Sequence, residues 1–169
     1  DMIRYHYHEP EDMFDAHSYN KGGLILHMLR KHVGDEAFFA SLSRYLHQNE
    51  YSSAELAQLR IAFEETVGRD MNWFFNQWFY NSGHPRLKVE QSSEDGQTIL
   101  TVKQLQDTLN IPIYRLPIEV ELWKDGQKTR QKIWVEKAEQ QFTLEVSEPD
   151  LVYFDAKNQL LGEVTFSKS

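Results

Sequence analysis

A change of hydrophobic period at Gly83-His84-Pro85 constrains this chain more than any other feature. Upstream, apolar residues recur three and four apart, the spacing of one helix face. Downstream they alternate with polar residues, the period of a half-buried strand. Gly ends helices and Pro cannot continue them, so the two patterns meet at a boundary. The chain therefore reads as α+β in two domains, helical over residues 1–84 and a β-sandwich over residues 85–169.

The helical half divides at its glycines. Residues Tyr5 to Phe14 form a lead-in, with Tyr5-His6-Tyr7-His8 as a short strand and Glu9-Pro10-Glu11-Asp12 as a turn. A first helix is predicted over Ala16–Val33, with Ile25, Leu29 and Val33 on one stripe, flanked by Leu26 and Met28, and Gly34 as its stop. Asp35 is the expected N-cap of a second helix carrying Phe38, Phe39, Leu42, Tyr45 and Leu46. Ser52-Ser53-Ala54-Glu55 reads as a capping box opening a third helix, with Leu56, Leu59, Phe63 and Val67 on one face and Gly68 after it. Asp70 is the expected cap of a fourth helix, Met71 to Ser82. Its Trp73, Phe74, Phe75, Trp78 and Phe79 are too many aromatics for one face, so burial on several sides is expected.

The second half predicts about seven short strands. Leu87 and Val89 alternate up to a turn at Glu94-Asp95-Gly96, and Gln97 to Leu105 returns. Ile118 to Leu122 alternates and leads into Lys124-Asp125-Gly126, a hairpin signal. Further strands are expected at Gln131–Glu136, Gln141–Val146, Leu151–Phe154 and Leu161–Phe166. Such spacing suggests a β-sandwich.

Composition narrows the function classes. Hydrophobic residues make up 40% and aromatics 13%, enough for a packed core. A net charge of −8 argues against nucleic acid or anionic membrane as main partners, since both need a basic face. No apolar run approaches the roughly 20 residues of a membrane helix. With 0 cysteines, disulfides and thiolate metal sites are excluded.

The richest stretch for chemistry is His17-Ser18-Tyr19-Asn20-Lys21-Gly22-Gly23, at the start of the first helix. Tyr19 has two readings. It is a first-turn aromatic packed on the core, or its phenol, neutral below a pKa of about 10, donates a hydrogen bond to a developing oxyanion. Each glycine near a helix start costs roughly 1 kcal/mol relative to Ala, so a close packing contact is expected there. Lys21 reads as a lysine with a buried stem held by an acid such as Asp15, or as a partner for a substrate carboxylate; Asp15 reads as a cap. His6 and His8 have strand spacing and could share a metal with a third ligand, whereas His27 and His32, five apart, lie on different helix faces. All read better as exposed or structural histidines, and no metal ligand is assigned. His84 reads as a packing residue in a turn. Glu64-Glu65 and Glu119/Glu121 read as solvated carboxylates, and Trp73 and Trp78 as core rather than a ligand groove.

The tyrosine-bearing stretch is similar to the aminopeptidase N family of zinc peptidases, where tyrosine-x-lysine-glycine opens a helix behind the metal site. Phe14-Asp15-Ala16 before it and Ile25-Leu26-His27-Met28-Leu29 after it extend the resemblance. Gly34-Asp35-Glu36-Ala37-Phe38-Phe39 with Tyr45-Leu46 resembles the next helix. Trp78 with Gly83-His84-Pro85 resembles the exit from the catalytic domain. Val102-Lys103-Gln104-Leu105-Gln106 resembles the glutamine-x-glutamine strand of the small sandwich that follows. Departures are Gly23, where alanine is common, His84, where a larger aromatic is common, and the lack of His-Glu-x-x-His anywhere in the chain.

The resemblance implies the helical part of a thermolysin-like catalytic domain followed by an Ig-like β-sandwich. It implies a zinc-dependent removal of N-terminal residues from peptide substrates, with Tyr19 as the catalytic residue that stabilises the oxyanion. It further implies that zinc and its ligands belong to a missing N-terminal half of the catalytic domain, so that the chain alone is inactive. The competing expectation is a non-catalytic binding or scaffold module from an inactive homologue. The sequence upstream of Asp1 separates the two.

Overall fold

The computed structural model describes residues 16–168, with side chains from Asn20 onward. The strand and turn expected between Tyr5 and Asp12 lie outside the described residues, as do His6, His8 and Asp15. The chain divides into two compact units, one ending at Ser82 and the other beginning at Gly83.

The first unit is helical. Helix α1 spans Ala16–Val33, with the bounds its periodicity predicts. Ile25 and Leu29 are fully buried and Met28 nearly so, while Val33 is only half-buried. Arg30, Lys31 and His32 occupy the last turn, where positive charge complements the helix dipole. Gly34 then adopts φ 89°, a value that strains any residue with a Cβ. Helix α2 spans Asp35–Gln48, and Asp35 is its first residue rather than its cap. The carboxylate is held instead by Arg30, whose Nε and Nη2 donate to it at 2.8 and 2.7 Å. Of the apolar set expected on α2, only Phe38 is buried; Phe39 and Leu46 are 54% and 66% exposed.

Helix α3 spans Leu56–Val67 and is capped by Glu55, not Ser52. The Glu55 N–H donates to Gln58 Oε1 at 2.6 Å. The Ser52 hydroxyl is occupied by the Asn49 carbonyl at the end of α2. Gly68 closes α3 in the left-handed region, φ 65°.

The aromatic helix differs more. Helix α4 covers only Asn72–Phe75 and passes into a π-helical turn over Asn76–Tyr80. Asp70 accepts from the Asn72 side chain, and the Met71 N–H is taken by Glu64 Oε1 at 2.9 Å. Glu64 is thus a cap supplied across space, further fixed by Arg60 at 2.6 Å, and not a solvated carboxylate. Phe74, Phe75, Gln77, Trp78 and Phe79 are all buried, so the segment is enclosed on several sides as expected. Phe38, Phe63, Phe75 and Phe79 form a run of ring contacts with centroids 5.1–6.4 Å apart.

The second unit holds seven strands, β1 Arg86–Glu94, β2 Gln97–Gln104, β3 Leu116–Lys124, β4 Gln127–Val135, β5 Glu139–Thr143, β6 Leu151–Phe154 and β7 Glu163–Lys168. They form a four-stranded sheet ordered β5-β2-β1-β7 and a three-stranded sheet ordered β4-β3-β6. Both two-residue hairpins fall where the turn residues place them. Asp95-Gly96 and Asp125-Gly126 each have two positive φ angles, 51° and 77°, 49° and 74°. Leu87, Val89, Leu100, Val102, Ile118, Val120 and Leu122 alternate into the core. Strands β4 and β5 begin earlier than the pattern suggests and β7 later. β4 starts directly after its turn, because pairing with β3 continues to Lys124↔Gln127. His84 is exposed, its Nε2 3.4 Å from Glu163 Oε1, and Pro85 rather than His84 is buried.

Candidate active-site segment

Tyr19 lies in the first turn of α1, and its side chain falls outside the described residues. From Asn20 onward the motif can be followed. Asn20 is exposed, and Lys21 and Gly22 are half-buried. Burial pushes the Lys21 ammonium below its usual pKa. A Cβ at Gly23 would meet nothing within 4 Å, so the close contact expected of the glycine pair is not found there. Nothing among the described residues explains that glycine.

Among the described residues, no group of three or more His, Asp or Glu side chains is placed to hold a metal ion. His27 is exposed, and His32 packs edge-on to Trp73 at 5.3 Å and 86°. The described residues therefore do not fit a metal centre. The candidate carboxylates are engaged elsewhere. Glu65 accepts from Arg44 at 2.8 Å and Gln48 at 3.3 Å, and the Arg44 hydrogen bond lowers its pKa. Glu121 accepts from Trp123 Nε1 at 2.9 Å and Arg130 Nε at 3.2 Å. The indole hydrogen bond is the larger cause of its lowered pKa. With side-chain exposure of 14%, Glu121 is not the solvated residue its strand position suggests. Glu119 pairs with Lys157 and Arg130.

The glutamine pair acquires a role that sequence reasoning did not supply. Gln104 Nε2 donates to the Tyr114 carbonyl at 2.8 Å, and the Tyr114 N–H donates back to Gln104 Oε1 at 2.9 Å. Gln106 Nε2 donates to Gln104 Oε1 at 2.9 Å and to the Pro112 carbonyl at 3.0 Å. Both glutamines are buried and Tyr114 fully so. The side-chain amides thus serve as main-chain-like partners that tie the segment after β2 onto its end. Two buried-competent amides spaced two apart at a strand terminus were the available signal.

The pattern described as peptidase family M1 domain matches residues 3–78, which include Tyr19 and all four helices. Probable aminopeptidase 1 of Sulfurisphaera tokodaii is 32% identical over 118 residues, 68% of this chain and 15% of that protein. Tricorn protease-interacting factor F2 of Thermoplasma volcanium is 38% identical over 97 residues, 57% of this chain and 12% of its own. Puromycin-sensitive aminopeptidase of Caenorhabditis elegans is 27% identical over 144 residues, 81% and 15% respectively. The crystal structure of Legionella pneumophila aminopeptidase A in complex with aspartic acid superposes with TM-score 0.78. It covers 96% of this chain and 19% of that one at 20% identity, which speaks to the fold alone. A helical unit opening on tyrosine-x-lysine-glycine and followed by a seven-stranded sandwich is thus a fold this chain shares with that structure. The chain belongs to peptidase family M1, the zinc-dependent aminopeptidase family. It spans about a seventh or less of the length of these curated relatives, 12–15%.

Proposed function

We propose that this chain is part of an aminopeptidase that hydrolyses N-terminal residues from peptides, and that Tyr19 is the catalytic group it contributes. The observation that carries the reading is the tyrosine-x-lysine-glycine motif in the first turn of α1, inside the segment matched to family M1. A neutral phenol on a helix is a fixed donor. Aimed at the carbonyl oxygen of the scissile bond, it gains most when that oxygen becomes an anion, so its contribution falls on the transition state. Zinc supplies Lewis-acid chemistry in this family generally. The described residues here do not fit a metal, and we assign to this chain no step that passes through one.

The test is Tyr19→Phe in the whole enzyme. Loss of one oxyanion donor removes about 2.7–4 kcal/mol, a drop of about 10²–10³-fold in kcat with KM nearly unchanged. Melting temperature stays constant, because the ring remains. Tyr19→Phe with full kcat, or with an altered melting point and full kcat, removes Tyr19 from the mechanism.

A further inference from the structure

Strand β7 is one edge of the four-stranded sheet: among the described residues it pairs in parallel with β1 alone, and all six of its residues are exposed. Edges that present unpaired N–H and C=O groups are usually blunted by shortness or by charge. The other edges follow that rule. Strand β6 has 4 residues and β5 has 5, and β4 carries Lys128, Arg130 and Lys132 at alternate positions. Strand β7 has charges only at its ends, Glu163 and Lys168, with Val164, Thr165, Phe166 and Ser167 between them.

We propose that β7 pairs with β7 of a second copy, antiparallel about a two-fold axis at Thr165, to join two four-stranded sheets into one. The register follows from the backbone. The Glu163 N–H donates to the Pro85 carbonyl at 3.0 Å, so Glu163, Thr165 and Ser167 direct their main-chain groups toward β1. Val164, Phe166 and Lys168 direct theirs to the open edge. Antiparallel pairing about Thr165 sets Val164 opposite Phe166 of the second copy, and Phe166 opposite its Val164. These are the residues with free edge groups, so each pair exchanges both of its backbone hydrogen bonds. Thr165 meets Thr165 in the closer, non-hydrogen-bonded position.

The side chains agree with this register. Leu87↔Val164 and Val89↔Phe166 are in-register partners, and Leu87 and Val89 are buried in the sandwich core. Val164 and Phe166 therefore prolong the apolar inner face past the core, and each remains 39% exposed. In the pair of copies the row becomes Leu87, Val164, then Phe166 and Val89 of the second copy. Apolar cross-strand pairs and a Thr–Thr pair are favourable contacts of this kind. The strand is thus complementary to itself at three levels: backbone direction, inner face and outer face. This inference does not depend on the peptidase reading.

The test is light scattering on the full chain in the upper micromolar range, with single changes at Thr165, an exposed residue. The unmodified chain is expected at twice its 20.0 kDa mass. Thr165→Lys and Thr165→Glu place like charges on the axis and are each expected as monomers with unchanged circular dichroism and melting. Mixing the two in equal amounts should restore the dimer. Thr165→Cys, in a chain with 0 other cysteines, should cross-link under mild oxidation, whereas Lys132→Cys on the β4 edge should not. An unmodified chain that stays monomeric overturns the proposal. So does a dimer that survives Thr165→Lys, which would place association elsewhere, such as the exposed Phe39 and Leu46 of α2. Equal cross-linking at both cysteines also overturns it.

Discussion

Single polar side chains hold the second unit at points where no strand does. Gln104 replaces a strand partner for Tyr114, satisfying its N–H and its carbonyl together. Gln104→Ala removes both of these buried hydrogen bonds, at a cost of about 1–3 kcal/mol in all. In a unit of this size the melting temperature should fall by roughly 4–8 °C per kcal/mol, read by circular dichroism or calorimetry. Gln104→Glu does not rescue it, because a carboxylate has no donor for the Tyr114 carbonyl. Gly162 is constrained in a different way. A Cβ there would lie 2.7 Å from the Pro85 carbonyl oxygen, which belongs to the backbone and accepts from the Glu163 N–H at 3.0 Å. Gly162→Ala must therefore displace the start of β7, and a loss of about 1–3 kcal/mol is expected from such crowding. Gly96→Ala is the comparison: its φ is strained at 77° but nothing lies within 4 Å, so any loss there reflects the backbone alone.

Elements start and stop here by contacts that cross between them. Asp70 falls one residue before Met71, the N-cap of α4, and Glu64 of α3 takes the Met71 N–H while the Asn72 side-chain amide reaches toward it at 3.4 Å. Glu64→Ala should cost about 0.5–2 kcal/mol, the value of a lost cap. Asp70→Ala should stay within about 0.5 kcal/mol, as for a surface change. Urea unfolding of the two variants, with hydrogen exchange at the Met71 amide, tells them apart; equal losses would restore Asp70 as the cap. Helix α4 continues into a π-helical turn. Phe74, Phe75, Gln77, Trp78 and Phe79 are all buried along this α-to-π stretch, while Asn72, Asn76 and Tyr80 stay exposed. Wider turns of this kind recur at functional sites in proteins generally.

For the whole molecule, carboxylates set the response to acid. Glu121, through Trp123 and Arg130, Glu65, through Arg44, and Glu163, through His84 and Arg86, each have a pKa lowered from 4.5 in the folded state. A depressed folded pKa contributes stability that is complete above the unfolded value and is lost as pH falls through the folded one. Melting temperature should accordingly be flat at neutral pH and decline below about pH 5. Glu121→Gln should shrink that decline, since Gln keeps an acceptor but does not titrate; an unchanged slope would exclude Glu121 from the acid response. Metal provides a second whole-molecule test. These 169 residues contain no His-Glu-x-x-His, and the described ones gather no three-ligand group. Prepared alone, they are expected to retain less than stoichiometric zinc by metal analysis and to leave an aminoacyl anilide intact. Chelator-sensitive turnover by this chain alone would overturn that expectation.

What the sequence determined by itself was whatever depends on neighbours in the chain. The bounds of α1, the stop at Gly68, the hairpins at Asp95-Gly96 and Asp125-Gly126 and the two-unit plan follow from hydrophobic period and from φ values that only certain residues tolerate. The tyrosine motif is a short contiguous string that the sequence displays by itself, and the role of Tyr19 is a proposal. Tertiary structure decided the features whose partners are distant. Glu64 became a cap, Glu121 became a half-buried acceptor for Arg130 of the neighbouring strand, His84 turned outward beside Glu163, and Gln104 became a partner for Tyr114. Each of these is a polar contact closed across a fold, and a local pattern carries no information about which groups the fold will bring together.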